Sequence, residues 1–208
     1  YYVGNRIKNL DDLLRVAKIK LSDLNLEDSV KDKDIIVENL DSKIKNLFKK
    51  EIVYEKNHLK LLLIDLSTYY SSDADERQYN VVEPPLGLLA LLTFLNTQLT
   101  GKVKGKIIKS LVDFDSNEEL IETINTFKPD IIGFRAMTFY SGFFHDVIQY
   151  IRDRKINIPI IAGGPYPTAS YADVLKDKNI DAVAIAEGEH TLYEICKKMI
   201  EKGNKFLN

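Results

Sequence analysis

The sequence predicts an α/β protein built on a parallel, doubly wound sheet of five strands, and three observations predict it. From Leu59 onward, short apolar runs alternate with stretches of helical period, five times over. The runs are nearly unbroken in Leu, Ile and Val, as strands are when both sheet faces are covered. Glycine, proline and acidic residues punctuate their ends. Strands alternating with helices through right-handed crossovers make a parallel sheet.

The first strand is Leu59–Leu66. A helix opens at Pro85, since proline suits a first turn, and runs on through Phe94 and Leu95. It is apolar on nearly every side, which predicts deep burial. The second strand falls near residues 106–112. The second helix, near residues 117–127, carries Leu120, Ile121, Ile124 and Phe127 as a stripe, and Lys128-Pro129-Asp130 ends it. The third strand begins at Ile131 and includes Gly133 and Phe134. The third helix spans about residues 141–153, with Phe143, Phe144, Val147, Ile148 and Ile151 on one face and Thr138 or Ser141 as its cap. The fourth strand, residues 158–162, closes on Gly163-Gly164-Pro165, and a short helix follows near residues 168–176. The fifth strand, residues 181–186, closes on Glu187-Gly188-Glu189. The last helix, residues 190–201, buries Leu192, Ile195, Cys196 and Met199. Five strands of this kind favour the flavodoxin-like or Rossmann-like order 2-1-3-4-5.

Residues 1–57 differ from the rest: they contain one glycine and no proline. Leu10, Leu13, Leu14 and Ala17 fit one helical face, and Ile36, Leu40, Ile44 and Leu47 fit another, with Asp34 placed to cap it. The chain therefore divides into a helical extension, 1–57, whose role is not legible, and an α/β domain, 58–208. A composition 45% hydrophobic and 29% charged is globular. A net charge of -2 offers no electrostatic ground for a nucleic acid partner, and no apolar run approaches the ~20 residues of a membrane span. The single cysteine, Cys196, rules out an internal disulfide and predicts a cytoplasmic protein. It falls in the last helix's apolar pattern and reads as core. His58, His145 and His190 have no metal-ligand spacing. The opening Tyr1-Tyr2-Val3-Gly4, with no initiator Met and no signal peptide, reads as part of a longer protein.

In an open parallel sheet, ligands bind beyond the carboxyl ends of the strands, near the switch point between strands one and three. The loops there are unusual. The first, residues 67–84, is at least three times as long as the ~2–6 residues usual for a strand-to-helix connection. Its Tyr69, Tyr70 and Tyr79 suit a lid or binding segment, and a plain crossing loop is the alternative. Arg135 stands at the switch point, where an unpaired buried charge is costly. It faces either a ligand or a salt-bridge partner such as Asp65 or Glu187. A tight turn needs one glycine, so the pair Gly163-Gly164 implies close approach of something bulky, as does Gly188. Glu189 or Thr191 can serve the amides at the start of the last helix, and an acid-rich helix start is a poor phosphate site. A Gly-x-Gly-x-x-Gly after strand one, a phosphate loop and a Gly-x-Ser-x-Gly elbow are all absent. The cleft thus suits close backbone contact and carries no catalytic set of its own.

Four segments occur in order: Pro84-Pro85-Leu86-Gly87-Leu88-Leu89-Ala90, Asp130-Ile131-Ile132-Gly133-Phe134, Ile160-Ile161-Ala162-Gly163-Gly164-Pro165-Tyr166-Pro167-Thr168 and Asp181-Ala182-Val183-Ala184-Ile185-Ala186-Glu187-Gly188-Glu189. Together they resemble the N-terminal cobalamin (B12)-binding domain of class B radical S-adenosylmethionine (SAM) enzymes, over roughly residues 59–202. The resemblance implies a corrinoid-carrying piece of a larger enzyme, many of which transfer a methyl group. The [4Fe–4S] cluster and SAM belong to a further domain that this chain, with one cysteine, does not supply. It places the corrin underside on Arg135, Ala136, Met137 and Thr138, with Ser67 beside them. It lays the nucleotide tail against Gly163, Gly164, Pro165, Glu187, Gly188 and Glu189, so that Gly164→Val is expected to fill the groove. Other cobalamin domains carry Asp-x-His-x-x-Gly after strand one. Here Asp65-Leu66-Ser67-Thr68-Tyr69-Tyr70 has serine at the histidine position, which the radical subfamily also generally lacks. Two other readings stand beside this one: the same fold without corrinoid, as a docking or substrate-binding domain, and a flavodoxin-like flavin or signalling domain, for which Ser67, Thr68, Ser71 and Ser72 would line a phosphate loop.

Overall fold

A computed structural model of the chain divides it into two units, residues 1–51 and 52–208. It describes residues 52–71 and 83–203. The two helical faces expected before residue 50, and Tyr79 and Ser72 of the long loop, lie outside the described residues.

Strand β1, Leu59–Leu66, is buried at every position except Lys60. It lies inside a sheet of order β2-β1-β3-β4-β5, formed with β2 (Val103–Lys109), β3 (Ile131–Ala136), β4 (Ile160–Gly163) and β5 (Ala182–Val183). Every pairing is parallel. The fold class read from the alternation is therefore the observed one. Strand two starts and ends earlier than the apolar run suggests. Asp113 Oδ2 accepts the Lys109 N–H at 2.8 Å, and Leu111 takes a φ of 69°, so the chain turns away from the sheet after Lys109. Strand five keeps two paired residues, because it lies at the sheet edge against the short β4.

Side chains alternate across each strand. Leu62, Ile64, Ile132, Phe134, Ile160 and Ala162 face helices α2 (Asn117–Phe127) and α3 (Ser141–Asp153). Leu61, Leu63, Ile131 and Ile161 face α1 (Leu86–Gln98) and the last helix, α6 (Gly188–Lys202). Between β4 and β5 the chain makes two short helices, α4 (Pro165–Ala169) and α5 (Tyr171–Val174). His145 of α3 fixes them: its Nδ1 lies 2.6 Å from Asp177 and its Nε2 3.0 Å from the Tyr166 hydroxyl.

Two local expectations are corrected. Helix α1 is not buried all round. Leu88 and Leu95 are buried, but Leu86 is 68% and Leu89 45% exposed. A helix lying on a sheet buries only the stripe that faces it, and nothing among the described residues covers the other side. Neither Thr138 nor Ser141 caps α3. Thr138–Tyr140 form a 3₁₀ turn that runs straight into the helix, and Tyr140 at the cap position makes no side-chain bond. Helix α6 likewise has Glu187 at its cap position with no side-chain bond, and Glu189 stands in its first turn, where its charge faces the helix's free amides.

Candidate functional site

The parallel register lines up Lys109, Asp65, Arg135 and Gly163 in one row across β2, β1, β3 and β4. The row lies at the carboxyl ends of the strands, on the face of α1 and α6. The Asp65 side chain is only 1% exposed. Lys109 Nζ donates to one of its oxygens at 3.1 Å and Arg135 Nη1 donates to the other at 2.9 Å. Lys109 also donates to Ser67 Oγ, and Arg135 Nη2 lies 3.4 Å from Met137 Sδ. Arg135 thus has the salt-bridge partner Asp65, not Glu187. One buried carboxylate satisfies two cations, and the row keeps a positive excess. Such an arrangement holds only while all three charges are present, since each would be costly to bury alone.

A groove of about 320 Å³ opens beside this row, between the sheet, α1 and α6. Its floor is Leu63, Gly133, Phe134, Arg135, Ile161 and Gly163. Gly87, Leu88 and Leu91 of α1 form one wall, with Leu192 of α6, and the loops after β4 and β5 form the other. Of the residues singled out from the sequence, Arg135, Gly163, Gly164, Pro165, Glu187, Gly188 and Glu189 all line it. Ala136, Met137, Thr138 and Ser67 do not. Ala136 points to the opposite core, Met137 stands behind Arg135, Thr138 is exposed, and Ser67 is engaged by Lys109.

The two glycines of the fourth turn divide the work. Gly164 has φ +91°, and a Cβ there would stand 2.9 Å from Arg135 Cγ. This glycine is required by the backbone, so Gly164→Val strains the turn and strikes β3 before it fills any groove. Gly163 has no such constraint. A Cβ there meets its nearest atoms, those of Ala184, at 3.8 Å and beyond. Its missing side chain is what leaves the groove open. On the far wall Ala186, a non-glycine residue with φ 61°, donates its N–H to Thr168 Oγ1 at 3.2 Å, tying the fifth-strand loop to α4.

Sequence reasoning missed the helix wall and the deeper floor. One signal was available: Gly133 lies two residues before Arg135 on the same strand face, and a glycine inside a strand marks close approach. Leu88, Leu91 and Leu192 carried no signal, because they share the pattern of ordinary core. Tyr69 and Tyr70, read as candidate lid residues, pack instead on α3. Tyr69 meets Tyr140 and Phe143, and Tyr70 meets Phe143 edge-on at 4.8 Å. Burial, reinforced by Glu118 and Asp115, pushes the Tyr70 phenol well above its usual range, so it stays a neutral donor to Asn117 at 2.8 Å. Burial also pushes the Cys196 thiol up to about 12, which removes it as a nucleophile. Among the described residues no group of His, Cys, Asp and Glu is placed to hold a metal ion, and no helix is long and apolar enough to cross a membrane.

Comparison with solved structures gives the same architecture. The cobalamin-dependent S-adenosylmethionine radical enzyme OxsB, with aqua-cobalamin and S-adenosylmethionine bound, superposes with a TM-score of 0.56 at 20% identity, over 72% of this chain and 20% of that one. The radical S-adenosylmethionine methyltransferase TsrM from Kitasatospora setae, with cobalamin and a [4Fe-4S] cluster bound, gives 0.54 at 19% identity, over 70% of this chain and 25% of that one. The chain therefore spans about a fifth to a quarter of the length of these enzymes. No curated protein sequence matches. The B12 binding domain family matches residues 78–196, more than half of the chain. This span includes the α1 wall and the glycine turns of both strand-end loops, and by this match the chain belongs to the B12 binding domain family.

Proposed function

We propose that this chain is the cobalamin-carrying domain of a B12-dependent radical S-adenosylmethionine enzyme, one that transfers a methyl group. The observation that carries the reading is the groove at the carboxyl ends of β3, β4 and β5, open because Gly163 has no side chain. The residues present fit a corrinoid. The volume, about 320 Å³, is within the ~300–1,000 Å³ range of ligand clefts and suits the nucleotide tail. The corrin ring itself would lie outside it, over the strand ends. A corrinoid held there would supply a transferable methyl group on cobalt, while the iron–sulfur cluster and S-adenosylmethionine would sit in a separate domain.

The chain's own residues have binding and positioning roles in this reading. Gly163 and Gly164 present bare main chain to the tail. Glu187 and Glu189 accept hydrogen bonds at the groove mouth. Asp65 holds Arg135 in one orientation beneath the corrin, while Ala136, whose side chain lies in the opposite core, takes no part in that surface. Lys109 and Ser67 brace Asp65 and the start of the first loop. Position 67 is a serine, so it offers no imidazole to cobalt.

The test is direct. The protein is mixed with hydroxocobalamin, excess is removed on a desalting column, and the visible spectrum is recorded. A corrinoid band that travels with the protein is the expected result, and a colourless protein would overturn the reading.

A further inference from the structure

The groove is chemically divided along its depth, and the sheet register shows where. Its upper row, Lys109, Asp65, Arg135 and Gly163, carries the charges. Two residues deeper on the same face, about 7 Å further down the strands, the row reads Ile107, Leu63, Gly133, Ile161 and Ala182. The three polar side chains that line the groove are Arg135, Glu187 and Glu189. Arg135 stands in the upper row, Glu187 ends the loop after β5, and Glu189 lies in the first turn of α6. Leu63, Gly133 and Ile161 spend their backbone groups on the sheet ladder, and the walls beside them are leucines of α1 and α6.

A heterocycle reaching the lower row therefore finds apolar contact and no side-chain hydrogen-bond partner. We infer that the groove discriminates among corrinoids by the base of the tail, taking a benzimidazole and rejecting a purine. The inference rests on the corrinoid reading given above. A benzimidazole with methyl substituents presents mainly carbon to Leu63, Leu88 and Ile161. Adenine carries an exocyclic amine and further ring nitrogens, all hydrogen-bonded to water when free. Burying these without partners costs binding energy at each group, and one unsatisfied group is enough for a tenfold loss. Leu91 is a specificity-determining residue in this scheme: it is half-buried, on the α1 wall, and reaches Gly188 at the mouth of the groove.

Equilibrium dialysis of the whole chain against three corrinoids tests this: cobalamin with its dimethylbenzimidazole base, the adenine-based cobamide, and cobinamide, which has no base. Retained corrinoid is read by visible absorbance. Cobalamin is expected to bind at least tenfold tighter than the adenine form, with cobinamide no tighter than the adenine form. Leu91→Gln, which offers an amide to the adenine amine, is expected to shrink that ratio at least threefold. Equal affinity for the two bases overturns the inference and leaves the corrinoid reading standing. Equal affinity for cobinamide and cobalamin overturns it too, by showing that the base does not enter the groove. Failure of all three to bind overturns both.

Discussion

The two faces of the sheet are built from the same kinds of strand yet end differently. On the α2 and α3 face the core is filled to the carboxyl edge by large side chains, with Phe114, Phe134 and Phe144 at most 2% exposed. Phe134 and Phe144 meet edge-on, with centroids 6.1 Å apart. On the α1 and α6 face, aliphatic packing continues up to the row of Leu63 and Ile161 and then gives way. Gly133 already leaves a gap within that row, and above it Gly163 and a charged row take its place. The difference teaches that a binding groove in this fold is made by omission. One face spends its volume on aromatic rings, and the other withholds side chains near the strand ends.

The largest expected effect comes from the charged row that borders the groove. Asp65→Ala leaves the buried Lys109 and the half-buried Arg135 without their common counter-charge. A loss of roughly 3–5 kcal/mol is expected, measured by urea unfolding. A loss below about 1 kcal/mol would show that the row is not a stability element. Next is the filled face. Phe144→Ala should cost about 3–5 kcal/mol by opening a cavity, while any corrinoid affinity measured on the folded variant stays within about twofold.

Gly163→Val sharpens the contrast from the other side. The turn can accept a Cβ there, so stability should change by less than about 1 kcal/mol. Retained corrinoid should fall at least tenfold. A folded variant that binds as well as the parent would remove the groove from the binding site. Cys196, on the grooved face, tests how dry that face is below the groove. Its thiol should be silent to an aromatic disulfide reagent at pH 8 in the folded protein and react fully after unfolding. Its folded pKa lies above its unfolded one, near 12, so the folded state holds the proton longer. Its contribution to stability is then constant below the unfolded thiol's pKa and falls as pH rises beyond it. The smallest effect is expected on the exposed side of α1. Leu89→Ser, 45% exposed in the parent, should change stability by no more than about 0.5 kcal/mol.

The aromatic face was legible in the sequence and the grooved face only partly so. Helix α3 announces its buried stripe through Phe144, Val147, Ile148 and Ile151 at helical spacing, and all four are buried. Gly163-Gly164-Pro165 and Glu187-Gly188-Glu189 also announce themselves, since glycine pairs and acid-flanked glycines are unusual at strand ends. The α1 wall misled the reading. An all-apolar helix suggests burial on every side, and a one-dimensional pattern cannot say how many neighbours a helix has. The glycines were legible as a pair but not as individuals. Their different roles depend on φ at Gly164 and on the distance from Gly163 to Ala184.

The sequence by itself determined the fold class, the strand order and the end of the sheet at which the groove opens. Each follows from local period, chain handedness and turn chemistry, which adjacent residues carry. Only the tertiary structure decided that Asp65 is shared by Lys109 and Arg135, residues 44 and 70 positions away. It likewise decided that Leu63, Gly133 and Ile161 form one floor beneath Leu88 and Leu91. The physical reason is that parallel register joins residues far apart in the chain. Whether a charge is paired or a groove is left open depends on which strands lie side by side.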